Sequence, residues 1–460
     1  MPRAIKLGVI GAGSATFSVG LVKDICLTEG LAGSAVTLMD VDRERVEAMW
    51  RFGERYAREL GAQVEFEMTV EREAALREAD FVINTAQVGG HAGVEGLREW
   101  TETWGYYRGF WLHNLVQIPM MVSVARDMER LCPGAWLIQA SNPVFEGCTA
   151  MTRETGVKVC GLCHGHFGYR EIAARVGLDP DKVKAEMVGF NHEIYLTKFE
   201  HEGKDAYPLI DEWIEEKAEE FWSDYHPGFG DNQMSRAAVE LYRLAGLFPI
   251  GDTPRMGGWW YHADLETKRK WYGEPLGGFD SELGWAEYLR GLEEEVARIH
   301  GAVADESAKL TEVFPPRPTG EQHFPLIDAL VNDNRVELQV NVPNRGAIEG
   351  IPEDVVVEVP AECSREGIAP RRIGKLPETL MLTVLYPRLM RAERTVAMAL
   401  RPDERVLMAM ILEDHRTKSW EEAVRFARAV LARPELAEMA AERKRAGHEF
   451  RTGGEGGGRG

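Results

Sequence analysis

The chain opens with a short apolar run at residues 4–10 that breaks at Gly11-Ala12-Gly13-Ser14 and passes into a helical pattern. This strand, glycine turn and helix constrain the fold more than any other feature. Gly11 and Gly13 fit the first two positions of a dinucleotide fingerprint: one permits a tight turn, the other lets the backbone approach a pyrophosphate at a helix N-terminus. Thr16 stands where the third glycine belongs, so the motif departs from the standard form. Asp40 closes a second apolar run at 35–39. An acid there accepts hydrogen bonds from both ribose hydroxyls and repels a 2′-phosphate, which favours NAD over NADP. The alternative is an ordinary strand–turn–helix with a solvated aspartate.

Further apolar runs at 81–85, 135–139 and 157–161 alternate with helical patterns at 41–60 and 120–131. Strands separated by helices of this length predict a parallel sheet with helical crossovers. The expected class is α/β, with a Rossmann-type N-terminal domain of the lactate and malate dehydrogenase kind. Beyond 199 the texture changes to long charged helical segments at 211–222, 235–247, 281–302 and 388–399, with strands at 336–342 and 354–359. A mixed, helix-rich α+β domain is expected there. The predicted division is 1–198 for nucleotide binding and 199–450 for substrate and oligomerisation, with a flexible glycine-rich tail at 451–460.

With 44 % hydrophobic and 28 % charged residues, the 460-residue chain can bury a sizeable core. A net charge of −20 repels nucleic acid and anionic membranes. The N-terminal apolar stretch is too short for a signal peptide, and no run of about 18 apolar residues predicts a membrane span. Six cysteines are sparse, so reduced thiols in the cytoplasm are expected.

The segment Cys160-Gly-Leu-Cys163-His164-Gly-His166 has several local readings: a redox dithiol, half of a zinc site, a haem-attachment signature or two buried thiols near a turn. Haem attachment requires export, and a structural zinc site wants a second paired ligand set. Gly189-Phe-Asn191-His192-Glu193 follows downstream. One thiolate and one distant imidazole form an incomplete shell, which leaves positions open for substrate oxygens as a catalytic metal requires. Cys163 and His192 are therefore ligand candidates, against the plainer reading of His192 as a core histidine.

These segments resemble glycoside hydrolase family 4, the NAD- and metal-dependent glycosidases. The resemblance runs through GAGSATF at 11–17, LMDVD at 38–42, NTAQVGGH at 84–91, GYYRG at 105–109, ASNPVFEG at 140–147, GLCHGHFG at 161–168 and GFNHEIYL at 189–196. It continues through PIGDTPR at 249–255, ETKRKWYGEP at 266–275, TGEQH at 319–323 and DVVVEVPA at 354–361. The Cys-His-Gly-His form looks most like the α-glucosidase branch.

The resemblance implies an elimination–addition route outside the two-carboxylate scheme. NAD takes a hydride from C3 of the sugar, a base removes the acidified C2 proton, the glycosidic oxygen leaves, water adds and the hydride returns. It implies that Cys163 and His192 hold a divalent metal, usually Mn2+, and that Gly11, Gly13, Ser14, Phe17, Asp40 and Asn84 contact NAD. It implies that Asn142 and Asn191 bind sugar hydroxyls and that Arg255 contacts substrate. Asp252 becomes the candidate for proton transfer at C2 or the aglycone. His164 stands where other branches carry an acidic aspartate, and Tyr242 lies in the region of the phosphoglucosidases' tyrosine base. Trp259, Trp260 and Tyr261 either stack on a sugar or fill the core.

The implied activity is an α-glycosidase, foremost an α-glucosidase on maltose-like or other small α-glucosides, and the implied assembly a homodimer or homotetramer. The nearest alternatives are α-galactosidase, α-glucuronidase and α-galacturonidase. More distant are an NAD-dependent 2-hydroxy acid dehydrogenase and a non-catalytic NAD-sensing protein.

Overall fold

A computed structural model of the chain describes residues 2–109, 111–224, 233–256 and 264–435. Its first half contains β1 (Lys6–Ile10), β2 (Ser34–Met39), β3 (Val64–Thr69), β4 (Phe81–Asn84), β5 (Trp136–Gln139) and β6 (Lys158–Gly161). These strands pair in parallel in the order β3-β2-β1-β4-β5-β6. That is the strand order of a dinucleotide-binding sheet, with its topological switch between β1 and β4. The expected Rossmann-type domain is present. β3 is an addition: its alternating Val-Glu-Phe-Glu sequence packs one face inward and leaves the glutamates in solvent.

Two helices frame the nucleotide edge. α1 (Ala15–Leu27) follows the glycine turn directly, and α2 (Arg43–Leu60) follows Asp40. Asp42 caps α2 by accepting a hydrogen bond from the Arg45 amide, and Gly61 ends it in the left-handed conformation at φ 68°.

The second half adds β7 (Val183–Phe190), β8 (Glu193–His201), β9 (Lys204–Asp205), β10 (Phe248–Ile250), β11 (Val336–Pro343), β12 (Val356–Ser364) and β13 (Gly367–Pro370). The path continues from β6 through β11, β12, β7 and β8 to β10, with every pairing antiparallel. One twisted sheet of 13 strands thus changes from parallel to antiparallel at β6. The expected division at 198 falls inside β8, because the hairpin of β7 and β8 already belongs to the antiparallel part. The mixed, helix-rich character expected beyond it is observed.

A large apolar core spans both parts, and a smaller one around Ile194, Trp213, Met234 and Phe248 lies beneath β8 and β10. Phe145 and Phe190, both buried, stack at 4.4 Å and connect the helix after β5 to the end of β7. Beside them a buried ionic group joins Arg388 to Glu146 at 2.6 Å and to Glu193 at 3.3 Å. Trp259, Trp260, Tyr261 and the glycine-rich tail lie outside the described residues. Among the described residues, no helix is long and apolar enough to cross a membrane.

The Phe145–Phe190 stack is expected to carry much of the cohesion between the two parts. Phe190→Ala should cost about 3–5 kcal/mol in urea unfolding, as core aromatic truncations do. Val41→Ala, at a position 85 % exposed, should stay within about 0.5 kcal/mol of the native protein.

Candidate functional site

The glycine turn has the backbone that its sequence predicts. Gly11 sits at φ 87°, and a side chain there would meet the Ala86 backbone at 2.5 Å. A Cβ on Gly13 would meet the Asp40 carboxylate at 2.8 Å. That carboxylate accepts hydrogen bonds from the Gly13 amide at 2.8 Å and the Asp42 amide at 3.0 Å. Glycine turn and acid form one rigid unit at the switch point, and this bare-backbone cradle fits a dinucleotide pyrophosphate. Ser14 is exposed at the head of α1. The Phe17 ring meets His323 edge-on at 5.3 Å. Asn84 differs from these. Its fully buried amide bonds to Gln139 at 2.9 Å and accepts from the Ala86 amide, so it shapes the loop after β4.

Three donors converge beyond the carboxyl end of β6. Cys163 lies in the loop after β6, His192 in the two-residue turn between β7 and β8, and Asp252 just after β10. Their ligand atoms all lie within 4.8 Å of one another. Close backbone approach makes this possible. Gly251, at φ 63°, packs against Gly165, and a Cβ there would meet the Gly165 oxygen at 2.6 Å. Gln233 holds Gly251 by both ends of its amide, at 2.7 and 3.0 Å. Thr253 accepts from the Ile194 amide at 2.9 Å and donates to the Ile194 carbonyl at 3.0 Å, which pins the His192 turn beside Asp252. His192 itself is left-handed at φ 61°, a strained backbone for a bulky residue that persists only where its surroundings over-determine it.

The electrostatics suit a cation. His192 Nε2 lies 3.0 Å from the Asp252 Oδ2, and Arg255 bonds to Oδ1. Burial opposes ionisation of Asp252, but its contacts with His192 and Arg255 outweigh it and hold the carboxyl down at about 2. Burial lowers His192 and keeps its imidazole neutral. Burial, together with the negative charges of Glu358 and Asp252, raises the Cys163 thiol. A sulfur, a nitrogen and an oxygen donor around one point fit a first-row divalent metal better than Mg2+ or Ca2+, which prefer oxygen alone.

Asp252, the candidate for proton transfer at C2 or the aglycone, thus lies beside Cys163 and His192, where its carboxylate could also serve as a third donor. Arg255 is engaged as well. It lies 3.2 Å from Asp280 as well as bonding to Asp252, with its guanidinium 4.6 Å over the Phe279 ring. Arg98 meets the same Asp280 at 3.2 Å, so the arginines here are already matched to carboxylates. His164 is exposed in the metal loop, 3.4 Å from Glu321, and that hydrogen bond raises its pKa. Asn142 is exposed just after β5. Tyr242 is not brought to the site: its hydroxyl donates to Asp211 at 2.8 Å, and its ring packs on Tyr207 and Phe248 in the smaller core.

Asn191 is buried, and its amide donates to Glu358 at 3.0 Å. Glu358 and Glu321 were not singled out in the sequence. Glu358 had a legible signal, since it interrupts a continuous valine run in a strand that is buried on both faces. Burial pushes its carboxyl up to about 7.

Residues 6–178 match the profile of the family 4 glycosyl hydrolases, and residues 187–417 match the profile of that family's C-terminal domain. An alpha-galactosidase of Bacillus subtilis is 28 % identical over 425 residues, covering 89 % of this chain and 93 % of that protein. An alpha-galacturonidase of Thermoanaerobacter italicus is 25 % identical over 441 residues, covering 90 % of this chain and 92 % of that protein. The fold is also that of the 6-phospho-beta glucosidase from Thermotoga maritima, crystallised with manganese, NAD+ and glucose-6-phosphate. That structure superposes with a TM-score of 0.71 at 19 % identity, over 96 % of this chain and 99 % of that one.

Of the three donors only the Cys163 thiol carries a proton that a metal must displace near neutrality. Cobalt(II) affinity should rise about tenfold per pH unit between about pH 6.5 and 8.5, measured by equilibrium titration. A pH-independent affinity would show that the thiol is not a ligand.

Proposed function

The chain belongs to family 4 of the glycosyl hydrolases and is a glycosidase, and on that premise we propose that it uses NAD and a divalent metal to cleave small, uncharged α-glycosides, α-glucosides foremost. The observation that carries this reading is the convergence of Cys163, His192 and Asp252 at the edge of a dinucleotide-type sheet. When bound, NAD would accept and return a hydride at C3, and a metal such as Mn2+ would stabilise negative charge developing on the neighbouring oxygen.

The residues divide this work. Gly11, Gly13 and α1 receive the pyrophosphate, and Asp40 receives the adenosine ribose. Cys163, His192 and Asp252 hold the metal, with Arg255 fixing the second oxygen of Asp252. Exposed Asn142 offers its amide to sugar hydroxyls. His164, steadied by Glu321, is the group placed to pass a proton to the departing oxygen, since its raised pKa keeps it protonated nearer neutrality.

The pairing of cations supports an uncharged substrate. Among the described residues, Arg255 and Arg98 meet Asp280, Arg108 meets Glu95 at 2.8 Å, and Arg388 meets Glu146. A uronate or a 6-phosphate would need a cation released from such a pair. The Cys163-His164-Gly165-His166 segment resembles the α-glucosidase branch. The alpha-galactosidase relative supports an α-galactoside as the second reading.

4-Nitrophenyl α-glucoside, α-galactoside, their β-anomers, a uronide and a 6-phosphate should be assayed in D2O with NAD, Mn2+ and a thiol reductant. We expect turnover of an uncharged α-glycoside, deuterium at C2 of the released sugar and no accumulating NADH. Turnover confined to β-anomers, uronides or 6-phosphates would overturn the substrate class, and stoichiometric NADH without bond cleavage would overturn the reaction. Asp252→Asn should weaken Mn2+ binding by about 10- to 100-fold or more. An Asp252→Asn variant that binds Mn2+ normally yet loses C2 exchange would assign Asp252 to proton transfer instead.

A further inference from the structure

We propose that Glu358 is the positioning residue of the metal site: its carboxylate fixes the orientation of the Asn191 amide beside Cys163 and His192. The inference rests on the metal reading given above and adds a residue to it.

Glu358 is 1 % exposed in the middle of β12, where a carboxylate is costly to bury. Among the described residues no Lys, Arg or His pairs with it. Its partners are amides: Asn191 Nδ2 donates to Oε2 at 3.0 Å and Asn341 Nδ2 to the same oxygen at 3.3 Å, and the Gln339 side chain also hydrogen-bonds to the carboxyl. The Asn341 amide also reaches the Gly161 carbonyl at 3.4 Å.

These groups lie on one line across the sheet. Gly161 of β6 is registered with Asn341 of β11, Asn341 with Glu358 of β12, and Glu358 with Gly189 of β7. Gly161 leads into the loop of Cys163, and Gly189 leads into the turn of Asn191 and His192. Glu358 therefore stands between the two segments that deliver the sulfur and nitrogen donors.

The chemistry explains why an acid occupies this position. An ionised carboxylate only accepts hydrogen bonds, so both asparagines turn their NH2 groups toward it. Neither amide can flip without placing an oxygen against an oxygen. Asn341 shows the constraint directly, because its Oδ1 is left buried with no hydrogen-bond partner. Asn191 also donates toward the Cys163 sulfur, so its fixed orientation supports the thiolate that a metal needs.

A glutamine would fill the same space but must turn its NH2 toward one of these donating amides, so in Glu358→Gln one amide must lose its partner or flip. Because Glu358 acts through Asn191, this loss should not add to that of Asn191→Ala, which removes the oriented amide itself.

The full chain, saturated with NAD, should be titrated with Co2+ while the thiolate-to-cobalt absorption and thermal unfolding are recorded. The native protein should show the band. Glu358→Gln should bind Co2+ about 10- to 100-fold more weakly, as expected for an outer-shell orienting group, and adding Glu358→Gln to Asn191→Ala should weaken binding by less than about threefold further. Native affinity in a folded Glu358→Gln overturns the proposal, as does a loss in the double variant equal to the product of the two single losses. If Glu358→Gln is too unstable to titrate, Asn191→Ala decides alone, with weakened binding supporting the proposal and native binding overturning it. Absence of the band in the native protein would instead remove the metal reading itself and Glu358's role with it.

Discussion

The parallel strands and the β7–β8 hairpin are joined in the sheet through the β11–β12 pair, and both junctions lie on one row. β11 meets β6 through Asn341 and Gly161, and β12 meets β7 through Glu358 and Gly189. Each junction is a single registered pair with glycine on one side. A side chain at Gly161 would clash with Val144 and Asn341, and one at Gly189 with the Glu193 backbone. The backbone on both flanks then leaves the sheet, carrying Cys163 from one side and His192 from the other. The metal donors follow from where β6 and β7 each meet the β11–β12 pair.

Buried arginines here are matched with carboxylates, whereas buried Glu358 is met by amides. Arg388 lies between Glu146 and Glu193, and Arg255 between Asp252 and Asp280. Removing one partner from such a pair leaves an uncompensated charge, which costs far more than the pair itself contributes. The two networks approach the same turn from opposite sides: Glu193 follows His192 in sequence, and Asp252 contacts it in space. The turn is held in its left-handed backbone by packing and charge together, and the imidazole stays neutral and available as a donor.

Much of this was legible in the sequence where the signal is local. Glycine turn, Asp40 and unbroken apolar runs specify the parallel half, because strands buried on both faces need no alternation. Cys163 and His192 stood out because thiol and imidazole are rare and distinctive. The hairpin of β7 and β8 was less visible, since its Asn191-His192 turn carries neither glycine nor proline. The engagement of Asp252 depended on Arg255 and His192 reaching it, and that of Tyr242 on Asp211 thirty-one positions away, a pairing no periodicity encodes. Glu358 was hidden for a similar reason: an acid among valines signals a buried role, but its partners come from two other segments and are fixed only by long-range register.

The account stands most directly on whether one ion is shared by the three donors. Crystals grown with NAD and Mn2+ should be measured above and below the manganese absorption edge. The account predicts one anomalous peak bonded to the Cys163 sulfur, the His192 imidazole and an Asp252 oxygen. A peak bonded to other residues, or none in a crystal whose glycine turn holds NAD, would contradict it.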